Sequence, residues 1–454
     1  MKVAFLVPSL RLSGGLNVVM EHGSRLARDH DMDVTMVITH HPDEVPWTYD
    51  GLDDVSVRTL ADAAGEPFDL VIATWWDTVT HLHRLPSKQY AYFVQSLEDR
   101  FFGPADPQGV LAGLTYRLGL PVITEARWIA DLFEALQPEV PCFYVPNGIN
   151  KDIFPVLAEV PDRPDGPLRV LVEGNVDDHI KGVPEALEAI GRMVEPTELT
   201  VVSAKGGTLP GAEVIGPISQ RELSDVMART DVVLKLSRVE GMAGPPLEGF
   251  HRGATAVITP VTGHDEYTQH GWNALVTGWD DPTGTARQLD LLAADPALLG
   301  FLRTNAVATA AAWPDWDRAA ETMADAVRSI ATASPHDLAA TVPLLREARF
   351  QVARDSRRIH RLKERIAFDE IHIAKVEENW RVAGDRVQEL SRLTEAQAAR
   401  MDRVEAMLTE LERSRWLRLF DRLEAPVQRR RDGLGTVRER LRSVRDTARE
   451  EPGS

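Results

Sequence analysis

Residues 232–252 read VVLKLSRVEGMAGPPLEGFHR. The segment begins with a short apolar run, Val232–Leu236, which is typical of a buried strand, and it ends in a predicted helix over Pro246–Arg252. The loop between them is rich in glycine and carries Glu240, while Glu248 lies on the helix. Because ligand sites in open parallel sheets lie at the carboxyl ends of the strands, this unit predicts an α/β fold with a site on the loop.

The same alternation of apolar runs and helical patterns extends through residues 1–333 and is typical of parallel sheets covered on both faces. The sequence EVPDRPDGP at 159–167 interrupts it and indicates a linker, because it is rich in proline and charge. We therefore predict two Rossmann-like domains, 1–158 and 168–333, that face a cleft. The predicted strands are Lys2–Val7, Val34–Thr39, Leu70–Thr74, Tyr90–Val94, Val122–Thr124, Cys142–Val145, Arg169–Val172, Leu199–Val202, Val232–Leu236 and Ala256–Thr259.

Two further segments follow the predicted domains. Over 344–412, apolar residues recur at alternating spacings of three and four, which predicts a long coiled coil and hence a homo-oligomer. A long helix packed on its own globular body is the alternative. The seam includes Leu362, Ile366, Ile373, Val376, Val387 and Leu390. Residues 413–454 predict a basic amphipathic helical tail that contacts the inner leaflet of a membrane, or else a coiled-coil end that folds back on the protein.

Composition and charge limit the partners and the compartment. The net charge of −18 argues against a nucleic-acid partner, because phosphate backbones select basic surfaces. Cys142 is the single cysteine, which excludes an intrachain disulfide and fits a reducing compartment. No apolar run approaches the length of a membrane span, and the opening MKVAFLVP is better explained as a strand than as a signal peptide. We expect a cytoplasmic protein with peripheral contact at the inner membrane face.

Three shorter motifs also follow predicted strands. Gly14 and Gly15 let the backbone approach an anion at a helix N-terminus, although a glycine pair is also common in simple turns. Asn147 lies in an Asn-Gly turn just before the linker. Lys181 lies in a loop where its ammonium group can meet a phosphate, and a solvated surface lysine is the alternative.

Taken together, these motifs resemble family 4 of the retaining glycosyltransferases, which have the two-Rossmann-domain fold called GT-B. The resemblance covers most of residues 1–330. The matching positions are Gly14-Gly15, Pro146–Asn150, Lys181-Gly182, the Glu240 and Glu248 pair, and Gly271–Val276. Within the family, Tyr92–Glu98 resembles rhamnosyltransferase-like enzymes of bacterial polysaccharide synthesis.

The resemblance implies transfer of a sugar from a nucleoside-diphosphate sugar to a glycan or lipid-linked acceptor, with retention of anomeric configuration, in cell-surface polysaccharide synthesis. It places the acceptor on the first domain and the donor on the second, with Lys181 and Glu240 as catalytic residues. The donor-binding residues it implies are Gly14, Gly15, Asn175, Arg238, Gly241, Met242, Ala243, Gly244 and Glu248. Gln95 and Asn147 are expected on the acceptor side or in the cleft.

The chain also departs from the family pattern. Asn175 stands where the family usually has an arginine that neutralises the leaving diphosphate, and Arg238 is a candidate substitute. The sequence has no spacing typical of metal ligands, so we expect no metal or other cofactor, with Lys181, loop amides and a helix N-terminus neutralising the diphosphate. A catalytically impaired scaffold that acts through its coiled coil is the alternative function. An epimerase of the same fold fits the motif order less well.

Overall fold

The computed structural model describes residues 1–40, 49–103, 106–334, 342–413, 439 and 442–443. It divides into two units, Met1–Arg357 and Arg358–Ser454. The first unit contains two parallel β-sheets, each covered by helices.

The first sheet has seven strands in the order β3-β2-β1-β4-β5-β6-β7. Its strands are β1 (Lys2–Val7), β2 (Asp33–Ile38), β3 (Ser56–Thr59), β4 (Phe68–Ala73), β5 (Ser87–Val94), β6 (Val122–Thr124) and β7 (Cys142–Tyr144). The helices between them are α1 (Gly14–Asp29), α2 (Leu60–Ala63), α3 (Trp76–Val79), α4 (Pro107–Thr115) and α5 (Arg127–Leu136). Strands such as β1 are apolar at nearly every position because helices cover both faces of the sheet.

The second sheet has six strands in the order β10-β9-β8-β11-β12-β13. Its strands are β8 (Leu168–Glu173), β9 (Thr197–Val202), β10 (Glu213–Ile215), β11 (Val232–Lys235), β12 (Thr255–Ile258) and β13 (Ala274–Val276). The helices that follow β8 are α6 (Val183–Ile190), α7 (Gln220–Met227), α8 (Gly244–His251), α9 (Pro282–Ala294), α10 (Pro296–Ala312) and α11 (Trp316–Thr332).

Three strands, β3, β10 and β13, were not predicted from the sequence. All three are short and lie at the edges of the sheets. Strand β3 is mostly exposed, so it lacks the apolar run that marks the central strands. An edge strand pairs through its backbone on one side only, and little in its side chains reports that pairing.

The two predicted domains, 1–158 and 168–333, each contribute a segment to the other. Helix α11 packs on the first sheet, where Met323 and Val327 join the core formed around β1 and β4. In return, Phe154 lies in the core of the second domain. The boundaries therefore differ from the predicted ones, because the apolar face of α11 is buried by the domain that begins the chain.

The two crossings between the domains are joined to each other. Ile149, on the first crossing, forms a parallel bridge with Asp315 on the second, and its backbone N–H donates to the carbonyl of Pro314 at 3.1 Å. The indole of Trp313 donates to the carbonyl of Asn147 at 2.9 Å. The two segments that connect the domains therefore lie side by side and are hydrogen-bonded to each other.

The last described helix, α12 (Val342–Arg413), is 72 residues long. Within the first unit, Ala348 and Val352 pack on a cluster around Trp76, and the guanidinium of Arg349 lies 3.4 Å from Asp77. In the second unit, the apolar seam residues of the helix are exposed, which fits the predicted coiled coil. None of the described helices combines the length and apolarity needed to cross a membrane. Almost all of the predicted tail, 413–454, lies outside the described residues.

We expect residues 345–411 to self-associate, because a long apolar seam is stabilised by a partner helix. The paired substitutions Ile373→Asp and Val387→Asp place charge on the seam and should yield a smaller assembly in sedimentation velocity. The matched control, Lys375→Asp with Glu389→Asp, changes positions two residues further along and should leave the assembly intact. A wild-type protein that sediments as a monomer contradicts the prediction.

Candidate active site

Two neighbouring strands of the second sheet end in opposite charges. Glu173 is the last residue of β8, and Lys235 is the last residue of the adjacent strand β11. The Lys235 ammonium lies 2.6 Å from Glu173 Oε2 and 3.6 Å from Glu240 Oε1. The Lys235 side chain is only 1% exposed, so its charge is held inside the protein by carboxylates on both sides.

The two residues predicted to be catalytic, Lys181 and Glu240, form an ion pair. The Lys181 Nζ atom donates to Glu240 Oε1 at 2.9 Å and to Oε2 at 3.0 Å. The Lys181 side chain is 34% exposed and that of Glu240 is 11% exposed. One side of the pair therefore faces open space that a ligand can enter.

The loop between β8 and α6 fixes the start of the Lys181 side chain. One oxygen of Asp178 accepts hydrogen bonds from the backbone N–H groups of Ile180 and Lys181, both at 3.0 Å. The next residue, Gly182, has φ of 69° and caps α6. A Cβ atom there would lie 2.0 Å from the carbonyl oxygen of Leu236, so only glycine fits between the two loops.

The charges of this site alter the pKa values of its carboxyl groups. Burial opposes the charge of Glu173, but the charges of Lys235 and Lys181 outweigh it and lower the pKa of Glu173. Burial likewise opposes the charge of Lys235, and the nearby carboxylates of Glu173 and Glu240 raise its pKa. Burial, followed by the charge of Glu173, raises the pKa of Glu248 to about 7. Glu248 is therefore the member of the group that exchanges a proton near neutral pH.

The loop that carries Glu240 lies against the first domain. A Cβ atom on Gly241 would lie 1.7 Å from the carbonyl oxygen of Gln95. The indole of Trp128 donates to the carbonyl of Gly241 at 2.8 Å. A Cβ atom on Gly15 would lie 3.1 Å from Oε1 of the Gln95 side chain. The fold thus brings Gly15, Gln95 and Gly241 together, although they come from two domains.

A buried carboxyl of the first domain also faces this loop. Glu125 Oε2 accepts a hydrogen bond of 2.8 Å from the amide of Asn147, and both side chains are buried. The other oxygen, Oε1, would lie 3.1 Å from a Cβ atom on Gly241. Burial, together with the charges of Glu240 and Glu266, raises the pKa of Glu125 to about 8. Glu125 therefore holds its proton at neutral pH.

Two side chains predicted to bind the donor, those of Asn175 and Arg238, bond to other groups of the protein. Asn175 Oδ1 accepts hydrogen bonds from Ser203 Oγ at 3.0 Å and from the backbone of the same loop. The guanidinium of Arg238 bonds to Asp280 and lies 3.4 Å from Glu185. In the described part of the chain, Arg238 therefore points to these carboxylates and is not brought to the Lys181 pair.

The remaining predicted donor-binding residues lie at helix starts. Gly14 is exposed and begins α1. Met242 and Ala243 are buried, and Ala243 is the N-cap of α8, which begins at Gly244. Because the first amides of a helix lack partners within it, the start of α8 presents N–H groups in the loop that carries Glu240.

Sequence analysis missed three residues of this site, Glu173, Lys235 and Glu125. Each lies at or directly after the carboxyl end of a buried strand. A lysine inside the apolar run VVLKL was the available signal, because an ammonium group in a covered strand requires a buried carboxylate partner. The partner itself depends on strand order, which the sequence does not state.

We expect Glu125→Gln to flatten the pH dependence of folding stability. Burial raises the pKa of Glu125 from 4.5 to about 8, so the folded protein keeps a proton that the unfolded chain has released. Its contribution to stability is therefore full below pH 4.5 and is lost as pH rises towards 8. Urea unfolding at pH 5 and pH 8 measures the change, and exposed Glu134→Gln serves as the control. Equal pH dependence in wild type and Glu125→Gln contradicts the assignment.

Comparison with known proteins gives one family match and many structural ones. The protein-family model described as "Glycosyl transferases group 1" matches residues 167–295. No curated protein matches the chain in sequence. HepE from Anabaena, solved with UDP and glucose, superposes with a TM-score of 0.58 at 14% identity, over 72% of this chain and 100% of that one.

Two further solved structures are similar over a comparable share of the chain. Sucrose-phosphate synthase from Thermosynechococcus elongatus has a TM-score of 0.60 at 17% identity and covers 72% of this chain and 98% of its own. WaaG, a glycosyltransferase involved in lipopolysaccharide biosynthesis, has a TM-score of 0.56 at 16% identity and covers 73% of this chain and 100% of its own. The predicted fold class, two α/β domains of the GT-B type followed by a long helix, is confirmed. With the family match, the prediction that the chain is a glycosyltransferase is also confirmed.

Proposed function

We propose that the chain is a retaining family 4 glycosyltransferase that moves a sugar from a nucleoside-diphosphate sugar to a glycan or lipid-linked acceptor. The observation that carries the proposal is the ion pair of Lys181 with Glu240 at the strand ends of the matched domain. Glu240 of this pair lies on the loop that meets Gln95 of the first domain, so donor and acceptor groups can approach from the two domains.

In the proposed reaction, the diphosphate leaves the anomeric carbon as the acceptor hydroxyl attacks the same face of the sugar. The hydroxyl proton passes to the departing phosphate oxygen, so no enzyme nucleophile is required. Lys181 turns to the diphosphate and stabilises the charge that develops on it. Glu240 lies beside the sugar, and Glu248 accepts hydrogen bonds from the ribose hydroxyls.

Binding and hydrolysis of donors test this proposal. Wild type is assayed for hydrolysis of UDP-glucose and of guanosine, thymidine and adenosine diphospho-sugars, with UDP-glucose first because HepE was solved with UDP and glucose. Calorimetry with the matching nucleoside diphosphates should give binding that Lys181→Ala weakens. A wild-type protein that binds none of the diphosphates contradicts the proposal and favours the scaffold that acts through α12.

We expect activity to persist in EDTA. Lys181 and Lys235 supply positive charge at the site, and no three His, Cys, Asp or Glu side chains are grouped as a metal site among the described residues. Turnover is compared in EDTA and in added magnesium or manganese. Complete loss in EDTA that either metal restores would assign charge neutralisation to an ion instead.

We place this activity in the bacterial cytoplasm, in cell-surface polysaccharide synthesis, with a rhamnosyltransferase-like specificity. The Tyr92–Glu98 segment and the likeness to WaaG support the pathway class. A tail that lies on the inner leaflet would bring the site to a lipid-linked acceptor. Its support is the sequence at 415–423, RWLRLFDRL, which combines aromatic and arginine side chains.

A further inference from the structure

Lys235 is a charged residue in a strand that is otherwise apolar and covered. Its ammonium group contacts carboxylates from two elements, Glu173 of β8 and Glu240 of the loop after β11. A lysine in this position cannot reach solvent, because its side chain is only 1% exposed. Its charge is therefore fixed in place by its partners.

Four charged side chains of the site alternate in sign from one contact to the next. Glu173 contacts Lys235 at 2.6 Å, Lys235 lies 3.6 Å from Glu240, and Glu240 contacts Lys181 at 2.9 Å. Glu240 thus has two ammonium partners on the same oxygen, Oε1. The two lysines differ in freedom, since Lys181 is 34% exposed on a loop and Lys235 is buried at a strand end.

We propose that Lys235 is a positioning residue that keeps the Glu240 carboxylate in place when Lys181 leaves it for the donor diphosphate. The inference rests on the proposed function, in which Lys181 meets the diphosphate. An ammonium group that turns towards a diphosphate can no longer make both of its bonds to Glu240. Without a second cation, the mostly buried carboxylate would follow Lys181.

Glu173 has a separate role in this arrangement. It offsets the charge of Lys235 from the side opposite Glu240, so the buried lysine stays ionised whatever the position of Lys181. The two lysines therefore differ in what they do, because Lys181 moves to the ligand while Lys235 stays with the carboxylate.

The test is the double variant Lys235→Met with Glu173→Gln. It removes the buried lysine together with its carboxylate partner, so neither charge is left without the other, and it leaves the Lys181 pair with Glu240 untouched. Turnover is followed with whichever of the four sugar nucleotides the wild type hydrolyses. We expect kcat to fall by about tenfold or more, with KM and the affinity for the nucleoside diphosphate nearly unchanged.

The split between kcat and KM is a readout that a purely structural role would not move, because general damage to the domain lowers the affinity for the diphosphate as well. Lys205→Met is the control, because this lysine lies in another strand-end loop of the same domain and is 69% exposed, and it should keep wild-type kcat and KM. Thermal melting checks that each variant is folded.

Wild-type kcat in the double variant would overturn the role of Lys235. A parallel loss of kcat and diphosphate affinity would also overturn it, because the damage would then not be confined to Glu240. Failure of the proposed function is visible separately, since it appears in the wild type as no hydrolysis of any of the four donors.

Discussion

Replacing Glu240 or Lys181 by alanine is expected to lower kcat by about a hundredfold or more while leaving the fold intact. Each side chain makes its described ion-pair contacts at the strand ends, outside the apolar clusters of the second domain, so its loss removes charge stabilisation from the site while those clusters stay filled. Lys181→Ala removes the cation that neutralises the leaving diphosphate. Glu240→Ala removes the carboxylate beside the donor sugar. The ammonium groups of Lys181 and Lys235 then lose this partner.

Steady-state kinetics and calorimetry separate the two variants. Lys181→Ala should weaken nucleoside-diphosphate binding as well as turnover, whereas Glu240→Ala should affect turnover most. Lys205→Ala is the matched control, because this lysine lies in another strand-end loop of the same domain and is 69% exposed. Near-native kcat in either Lys181→Ala or Glu240→Ala would remove that residue from the site.

Gly241→Ala is expected to have a comparable effect for a different reason. An added methyl group would lie 1.7 Å from the carbonyl oxygen of Gln95, far inside the 3.0 Å below which real Cβ atoms essentially never approach another heavy atom. Because that oxygen belongs to the backbone, the two domains must separate to relieve the clash. A displacement of about 1 Å between reacting groups can cost about a hundredfold in rate.

Measuring nucleoside-diphosphate binding distinguishes separation of the two domains from general misfolding of the variant. Lys181, Glu240 and Glu248 all belong to the second domain, so Gly241→Ala should bind nucleoside diphosphate while it fails to turn over. Gly244→Ala is the control, because a Cβ atom there meets nothing within 4 Å. Solution scattering should report a larger radius of gyration for Gly241→Ala only. Wild-type kcat in that variant would mean that the two loops need not meet for catalysis.

Much of the fold was predictable because the central strands are covered on both faces. The apolar runs that this covering requires gave β1, β6, β8 and β11 to within a residue or two. Strands β3 and β10 were missed because their side chains are exposed or half-buried, and β13, although mostly buried, is only three residues long. The packing of α11 on the first sheet was missed as well. An amphipathic helix shows in its sequence that one face is buried, but not which domain buries it.

The site was predictable where residues lie close in sequence and less so elsewhere. Glu240 and Glu248 share one loop and helix. The ion pair of Glu240 with Lys181 was not predicted, and it forms because both loops begin at the same sheet edge. Glu125, by contrast, reaches the site only because the first domain lies against Gly241. The position of Arg238 depends on Asp280 and Glu185, which no local pattern connects to it.

The paired crossing at Ile149 and Asp315 has a consequence for how such a protein can be recombined. The first half is not a contiguous gene segment, because α11 returns to the first sheet after the second domain is complete. A chimera that exchanges everything after the linker at 159–167 would also replace α11, and the first domain would lose a helix of its own core. Exchanging residues 149–315 as one inserted segment keeps the core of each domain intact. The two ends of that segment lie side by side, because Ile149 and Asp315 are paired.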